Sequence, residues 1–150
     1  MNTISTINNL DDKVVKLQEE MLKLPQVELT TDHYFCNGMY ARRIFSKAGT
    51  LIVGKRHKTD HFYMVLTGCV QVNINDQIVI LDADKDGPQI LNCPIGTKRA
   101  VYVIRDSWRL NVHLNLNNVQ ELEELEDNLV EKDESSPFLP SNKLRQEVLA

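Results

Sequence analysis

A mainly β domain, an antiparallel sandwich or barrel with one helix before it and one after, is the fold class this sequence predicts. Two observations carry the prediction. Between residues 26 and 116, short segments rich in β-branched, aromatic and aliphatic residues alternate with Gly, Pro, Asn and Asp at the roughly 8 to 12 residue spacing of all-β folds. On both sides of that region the apolar residues change to helical spacing. A chain of 150 residues with 42% hydrophobic content suits one compact domain with appendages.

Residues 1–25 form the first element. Ile7, Leu10, Val14, Leu17, Met21 and Leu24 recur at alternating spacings of three and four, an a/d pattern that Pro25 ends. With Ile, Val and Met at a and Leu at d, the pattern suits a two-stranded parallel pairing. The alternative is an amphipathic helix docked on its own domain, which the extra apolar residues Val15 and Leu22 favour.

Residues 26–116 form the barrel, with strands expected near 39–46, 50–57, 61–67, 69–74, 77–81, 89–92, 99–105 and 108–116. Hairpin turns are expected at "NIND" (73–76) and "IRDS" (104–107), because Asn and Asp accept the left-handed backbone. In the last strand Trp108, Leu110, Val112, Leu114 and Leu116 alternate with Arg109, Asn111, His113 and Asn115, so one set faces a packed layer and the other faces water or a polar cavity. Residues 117–132 form an acidic helix. Asn118 and Glu121 suggest a capping box, and Val119, Leu122, Leu125, Leu129 and Val130 make an apolar stripe. Residues 133–150 read as an extended tail whose final residues form one helical turn.

Net charge is -4, so no bulk positive field draws the chain to nucleic acid or an anionic membrane. The apolar runs are far shorter than the ~20 residues of a membrane span, and the first residues lack the layout of a signal peptide. Residence in the cytoplasm follows. Cys36, Cys69 and Cys93 have no metal or disulfide spacing and are expected as reduced thiols. The two apolar helix faces together suggest a homo-oligomer, most simply a dimer.

The stretch "GTLIVGKRHKTDHFYMVLTG" (49–68) holds His57 and His61 among strand-forming residues. It resembles the first motif of the cupin superfamily, jelly-roll β-barrels in which a Gly, a His-x-His pair, a Glu and a second Gly set metal ligands on adjoining strands. Gly49, Lys55, His57, His61 and Gly68 keep that spacing, with Lys55 in place of the first His and His61 in place of the Glu. The second motif resembles Pro94, Ile95 and Gly96 followed by Arg99 in the place of its His, with Val103 where an Asn is usual. The resemblance implies a cupin-type jelly-roll β-barrel with its site at the mouth. A closer resemblance, from Asn37 to Glu131, is to small cupin-like proteins of tailed bacteriophages, through runs such as "NGMYAR", "GTKRAVYV" and "DSWRLNVH". It implies a phage setting: infected host cytoplasm or virion, with other phage proteins as partners.

Strand parity from the motif sends Val53, Lys55, His57, His61, Tyr63, Val65, Arg99, Val101 and Val103 inward. Lys55, His57, His61 and Arg99 then form a candidate anion site, with Tyr63, Arg109 and Asn111 lining it. The competing set is His57, His61 and His113 around Zn, Fe or Mn. Lys55 and Arg99 oppose a divalent cation at close range, so no cofactor is expected and a transition metal is the alternative. A third reading pairs these cations with local acids such as Asp60, with no ligand at all. The expected role is a non-catalytic phage accessory or virion protein working by oligomeric assembly. The rival is a small enzyme, metal-dependent or using His57 or His61 as general base with Tyr63 as a second proton donor. "DADKDG" (82–87) imitates a calcium loop through Asp82, Asp84 and Asp86, but Cys93 stands where its bidentate Glu is needed, so an acidic turn is expected.

Overall fold

A computed structural model describes the backbone of residues 2–74 and 76–144, with side chains from residue 10 onward in that range apart from residue 74. Helix α1 (Asn2–Met21) precedes β1 (Thr30–Cys36), β2 (Gly38–Ser46), β3 (Leu51–Val53), β4 (His61–Ile74) and β5 (Gln77–Asp82). The short α2 (Ala83–Asp86), β6 (Gln89–Cys93), β7 (Ala100–Asn115) and α3 (Leu122–Leu129) follow. All strand pairings are antiparallel and run in the order β1-β2-β7-β4-β5, with β3 on β7 and β6 on β4. The molecule is therefore mainly β, a seven-stranded sheet curled in the jelly-roll manner.

Two long strands replace four expected short ones. Residues 61–67 and 69–74 are one strand, β4, and 99–105 and 108–116 are one strand, β7. The hairpin turn expected at 104–107 is absent, because Ile104–Ser107 lie inside β7. The bend is instead taken up by register shifts on β4 between Val65 and Val70, around Gly68 at φ +83°. There is no room for a side chain at Gly68: a Cβ would lie 2.2 Å from the Asp106 carbonyl and from Ser107 Oγ. The other expected turn holds, with Asp76 at φ +66° between β4 and β5.

The closed half of the barrel is packed by Tyr63, Val65, Val70, Val72, Cys93, Val101 and Val103, all buried. Alternation places Val101 and Val103 on the inner face of β7, the register shifts between Val65 and Val70 keep Tyr63, Val65, Val70 and Val72 inward along β4, and Cys93 comes from β6. The strand β1 was not among the expected segments; a two-residue Asn37-Gly38 loop joins it to β2, with Cys36 opposite Met39. Asn-Gly between strand-forming runs is the signal that marks it.

Each flanking helix packs on its own chain. Val14 of α1 is buried, Arg56 clamps Asp11 with two bonds of 3.1 Å, and Gln18 Nε2 donates to Asp133 at 2.8 Å. Ile7 of the heptad pattern lies outside the described side chains. On α3, Leu125 and Leu129 are buried against Tyr40, with Val119 and Val130 beside them. The expected capping box is not formed. Asn118 sits in a turn at φ +51° and accepts from the Gly38 amide at 2.8 Å, while Glu121 caps the helix by accepting from the amides of Glu123 and Glu124. The tail from 133 to 144 carries turns and an isolated Phe138–Leu144 bridge; the helical turn expected at its end lies outside the described residues.

The acidic turn 82–87 is used structurally. Asp82 caps α2, Arg105 pairs with Asp82 at 2.5 Å and Asp84 at 3.2 Å, and Asp84 accepts from the Gly68 amide at 2.8 Å. All three cysteines are free, with Cys69 and Cys93 buried and Cys36 exposed.

Candidate functional site

The open half of the barrel holds a cavity of about 550 Å³, closed over by α3, by the segment after α1 and by residues 136–142. Its floor is set by strand parity. On β2, Tyr40, Arg42 and Ile44 share one face, and on β7 the inward set is Arg109, Asn111 and His113. The alternation read from the sequence is thereby resolved: the polar residues of β7 face inward, and Leu114 is 63% exposed on the outside.

His57 arrives from the loop after β3. Its amide donates to the Thr97 carbonyl at 2.9 Å, its carbonyl accepts from the Gly96 amide at 2.9 Å, and it bridges to Val130. The Pro94–Gly96 turn and the end of α3 thus hold it from two sides. His57 and His61 stack with ring centroids 3.9 Å apart, and His113 lies 4.9 Å from His61. Burial, first of all, and the nearby guanidiniums push all three imidazoles down, His57 to about 2, His61 to about 4 and His113 to about 3. They are neutral at physiological pH.

Arg99 is buried at the centre. Its Nη1 lies 2.8 Å from His61 Nε2, its Nη2 donates to Asn111 Oδ1 at 2.8 Å, and its guanidinium sits 4.3 Å from the Tyr63 ring centroid. Burial lowers the pKa of Arg99 and of Arg42, yet a guanidinium does not give up its proton in a protein. The cost of burying the charge therefore remains. Arg109, also buried, donates from Nη2 to Ser46 Oγ at 3.0 Å; Arg42 donates from Nη2 to the Pro140 carbonyl at 3.1 Å. Among the described residues no carboxylate pairs with any of these three arginines. The cavity's one acidic lining residue, Glu126, is bound by Lys55.

The residues named from sequence thus separate into three groups. Lys55 is neutralised by Glu126. His61 and Tyr63 stand behind Arg99, outside the cavity lining, and Tyr63 is wholly buried. His57, Arg99, Arg109, Asn111 and His113 face the cavity together. Arg42 was missed, although its parity with Tyr40 and Ile44 marks it as inward. Asp60 accepts from the Ile95 amide at 2.8 Å and pairs with none of the site cations.

The resemblance to cupins raises a transition metal, and the three histidines do present one ligand atom each within 4.8 Å of one another. The donor chemistry does not fit. His61 Nδ1 faces the Thr59 carbonyl at 3.2 Å and so carries the proton, which makes Nε2 the acceptor for Arg99. No lone pair of His61 remains for a metal, and any ion beside it would share the space with a guanidinium. The Nδ1 atoms of His57 and His113 are buried without a hydrogen-bond partner, so two imidazoles at most are free for an ion, fewer than the three or four donors such a site needs.

No protein-family model and no curated protein matches the chain. Among solved structures it is similar to the plu4264 protein from Photorhabdus luminescens, at 12% identity and TM-score 0.51 over 69% of this chain and 89% of that one. A cupin-2 domain containing protein from Shewanella frigidimarina is similar at 13% identity and TM-score 0.47, over 71% of this chain and 99% of the other. The Cupin_2 domain of an XRE family transcriptional regulator from Enterobacter cloacae stands at 14%, 0.47, 57% and 95%. These likenesses concern the fold alone, a mainly β antiparallel architecture. No helix among the described residues is long and apolar enough to cross a membrane.

Proposed function

We propose that the barrel is a non-catalytic binding module that holds a small organic anion on Arg42, Arg99 and Arg109, and that it works as a homo-oligomer in a phage-infected cell or virion. One observation carries the ligand reading: three guanidiniums meet at one cavity with no ion-paired carboxylate among the described residues, since Glu126 near Arg42 is held by Lys55. Leaving buried charge uncompensated costs several kcal/mol per ion, and an anion in the cavity offsets that cost. The Nε atoms of Arg42 and Arg109, buried and without partners, point the same way. The phage setting is supported by the sequence runs between Asn37 and Glu131.

Acid/base catalysis is disfavoured by the same geometry. A general base works best with a pKa near the operating pH, and imidazoles held at about 2 to 4 are weak bases. Tyr63 is too deeply buried to reach a substrate.

Thermal melting at constant ionic strength tests the reading. Phosphate and benzoate should each raise Tm over chloride in the wild type, and the rise should vanish in Arg109→Gln. Equal melting in every anion overturns it. Metal analysis of protein purified without a histidine tag should find well under one equivalent of Zn, Fe or Mn. One equivalent that disappears in His57→Ala would establish the metal reading instead.

A further inference from the structure

We propose that the ligand is an amphiphile, a carboxylate carried on an extended apolar body, with its head among the arginines and its body under the straps that close the mouth. This deepens the anion-binding reading and rests on it. The cavity has two chemically different ends. Arg42, Arg99, Arg109, Asn111 and His113 gather at the barrel end. Towards the mouth the wall is Leu22 and Leu29 from the segment after α1, Leu125 and Leu129 from α3, and Phe138 from the tail. A hydrated inorganic ion fills the first end and leaves the second facing water. A volume of about 550 Å³ is in the range of sites for organic molecules and far above that of one oxyanion.

The donor count narrows the head group. Both Nη atoms of Arg99 are engaged, by His61 and Asn111, and one Nη atom each of Arg42 and Arg109 is engaged by the Pro140 carbonyl and Ser46. The free donors include the Nε edges of Arg42 and Arg109, both buried and without partners. Each edge suits the two oxygens of one planar carboxylate. The straps supply no competing charge: between Leu22 and Leu29 and between Ser136 and Asn142, the residues lining the cavity are uncharged. Leu24, Val27 and Leu139 on them are 62%, 59% and 40% exposed, so the apolar wall continues to the outer lip.

Calorimetric titration of the full chain with a ladder of straight-chain carboxylates from acetate to decanoate tests this, with decanol and inorganic phosphate as controls. Each added methylene should tighten binding about three- to fourfold until the chain reaches the lip, so octanoate should bind on the order of a hundredfold better than butyrate. Decanol should bind far more weakly than decanoate. Phe138→Ser, at the partly exposed mouth, should flatten the ladder while leaving acetate and phosphate unchanged. Arg109→Gln should weaken every carboxylate alike, with Arg42→Gln as a second variant should the first fail to fold. Phosphate or acetate binding as well as decanoate, with no dependence on chain length, overturns the amphiphile and leaves the anion site standing. Absence of binding by any of the anions overturns both. Decanol matching decanoate overturns the head-group assignment.

Discussion

At the scale of single residues the site turns on which partner each buried cation receives. Lys55 and Arg99 looked equivalent in sequence, two positive residues at inherited ligand positions. The fold separates them, because α3 delivers Glu126 to Lys55 and no acid to Arg99. Such a pairing is long-range and leaves no local trace, whereas the inward direction of Val101 follows from strand parity and was legible; the strand expected over 50–57 ends at Val53, so His57 is aimed inward by its loop instead. The three neutral imidazoles make a pH prediction. Their folded pKa values, about 2 to 4, lie below the unfolded value near 6.5, so between these limits the unfolded chain binds more protons. Stability is therefore full above about pH 6.5 and falls as pH drops towards 4, each histidine adding up to about 1.4 kcal/mol per pH unit. Urea unfolding from pH 7.5 to 5, above the range where carboxylates titrate, should show this slope, and His113→Asn should make it shallower. A flat profile would mean that the imidazoles are not buried neutral.

At the scale of elements, the sequence showed where most strands are but not how far they run, and it missed β1. Segments on either side of Gly68 read as separate strands because glycine usually ends one. Here it permits a bulge in an unbroken β4, paired with a β7 that bends with it. The outcome depends on contacts with Asp106 and Ser107, about 40 residues away, which no local pattern reveals. Gly68→Ala combines a left-handed backbone with a Cβ placed 2.2 Å from two oxygens, and should cost about 3 kcal/mol or more. Gly49→Ala, at φ +87° but with nothing within 4 Å, should cost only about 1–2 kcal/mol for the backbone. Chemical denaturation of the two variants separates the steric contribution from the conformational one; equal losses would place no weight on the Gly68 contact. The acidic helix offers a smaller case of the same lesson. Its apolar stripe was legible, but Glu121 caps it in place of the Asn118 pair, and Glu121→Ala should lower stability by about 1 kcal/mol.

At the scale of the whole molecule, the apolar helix faces that first suggested an oligomer are covered by the chain itself at Val14, Leu125 and Leu129, while Leu24 stays exposed. The surface left uncovered is the outer face of the sheet. Across β6, β4, β7 and β2 the outward residues Ile90, Met64, Phe62, Leu110, Val112, Leu114 and Met39 lie side by side in paired register. Ile90, Phe62, Leu114 and Met39 are 59%, 47%, 63% and 46% exposed. The strand assignment from sequence placed this apolar set on one face correctly but could not say that the polar face was the interior one. We propose a second copy of the chain as its occupant. The charges at the edge, Arg43 and Asp32, are already paired at 2.7 Å, so a two-fold contact buries no lone ion. Four strands at about 4.8 Å spacing, with three outward rows about 7 Å apart, span on the order of 400 Å² in plan. That is about half the ~800 Å² per partner of a standard interface, in the range of a weak, reversible dimer. Light scattering should therefore give twice the chain mass for the wild type. Leu114→Lys, which places an unpaired charge at the middle of the contact, should give a monomer with unchanged circular dichroism. Deletion of residues 1–25 that alone converts the dimer to a monomer, with Leu114→Lys remaining dimeric, would return the assembly to the heptad helix.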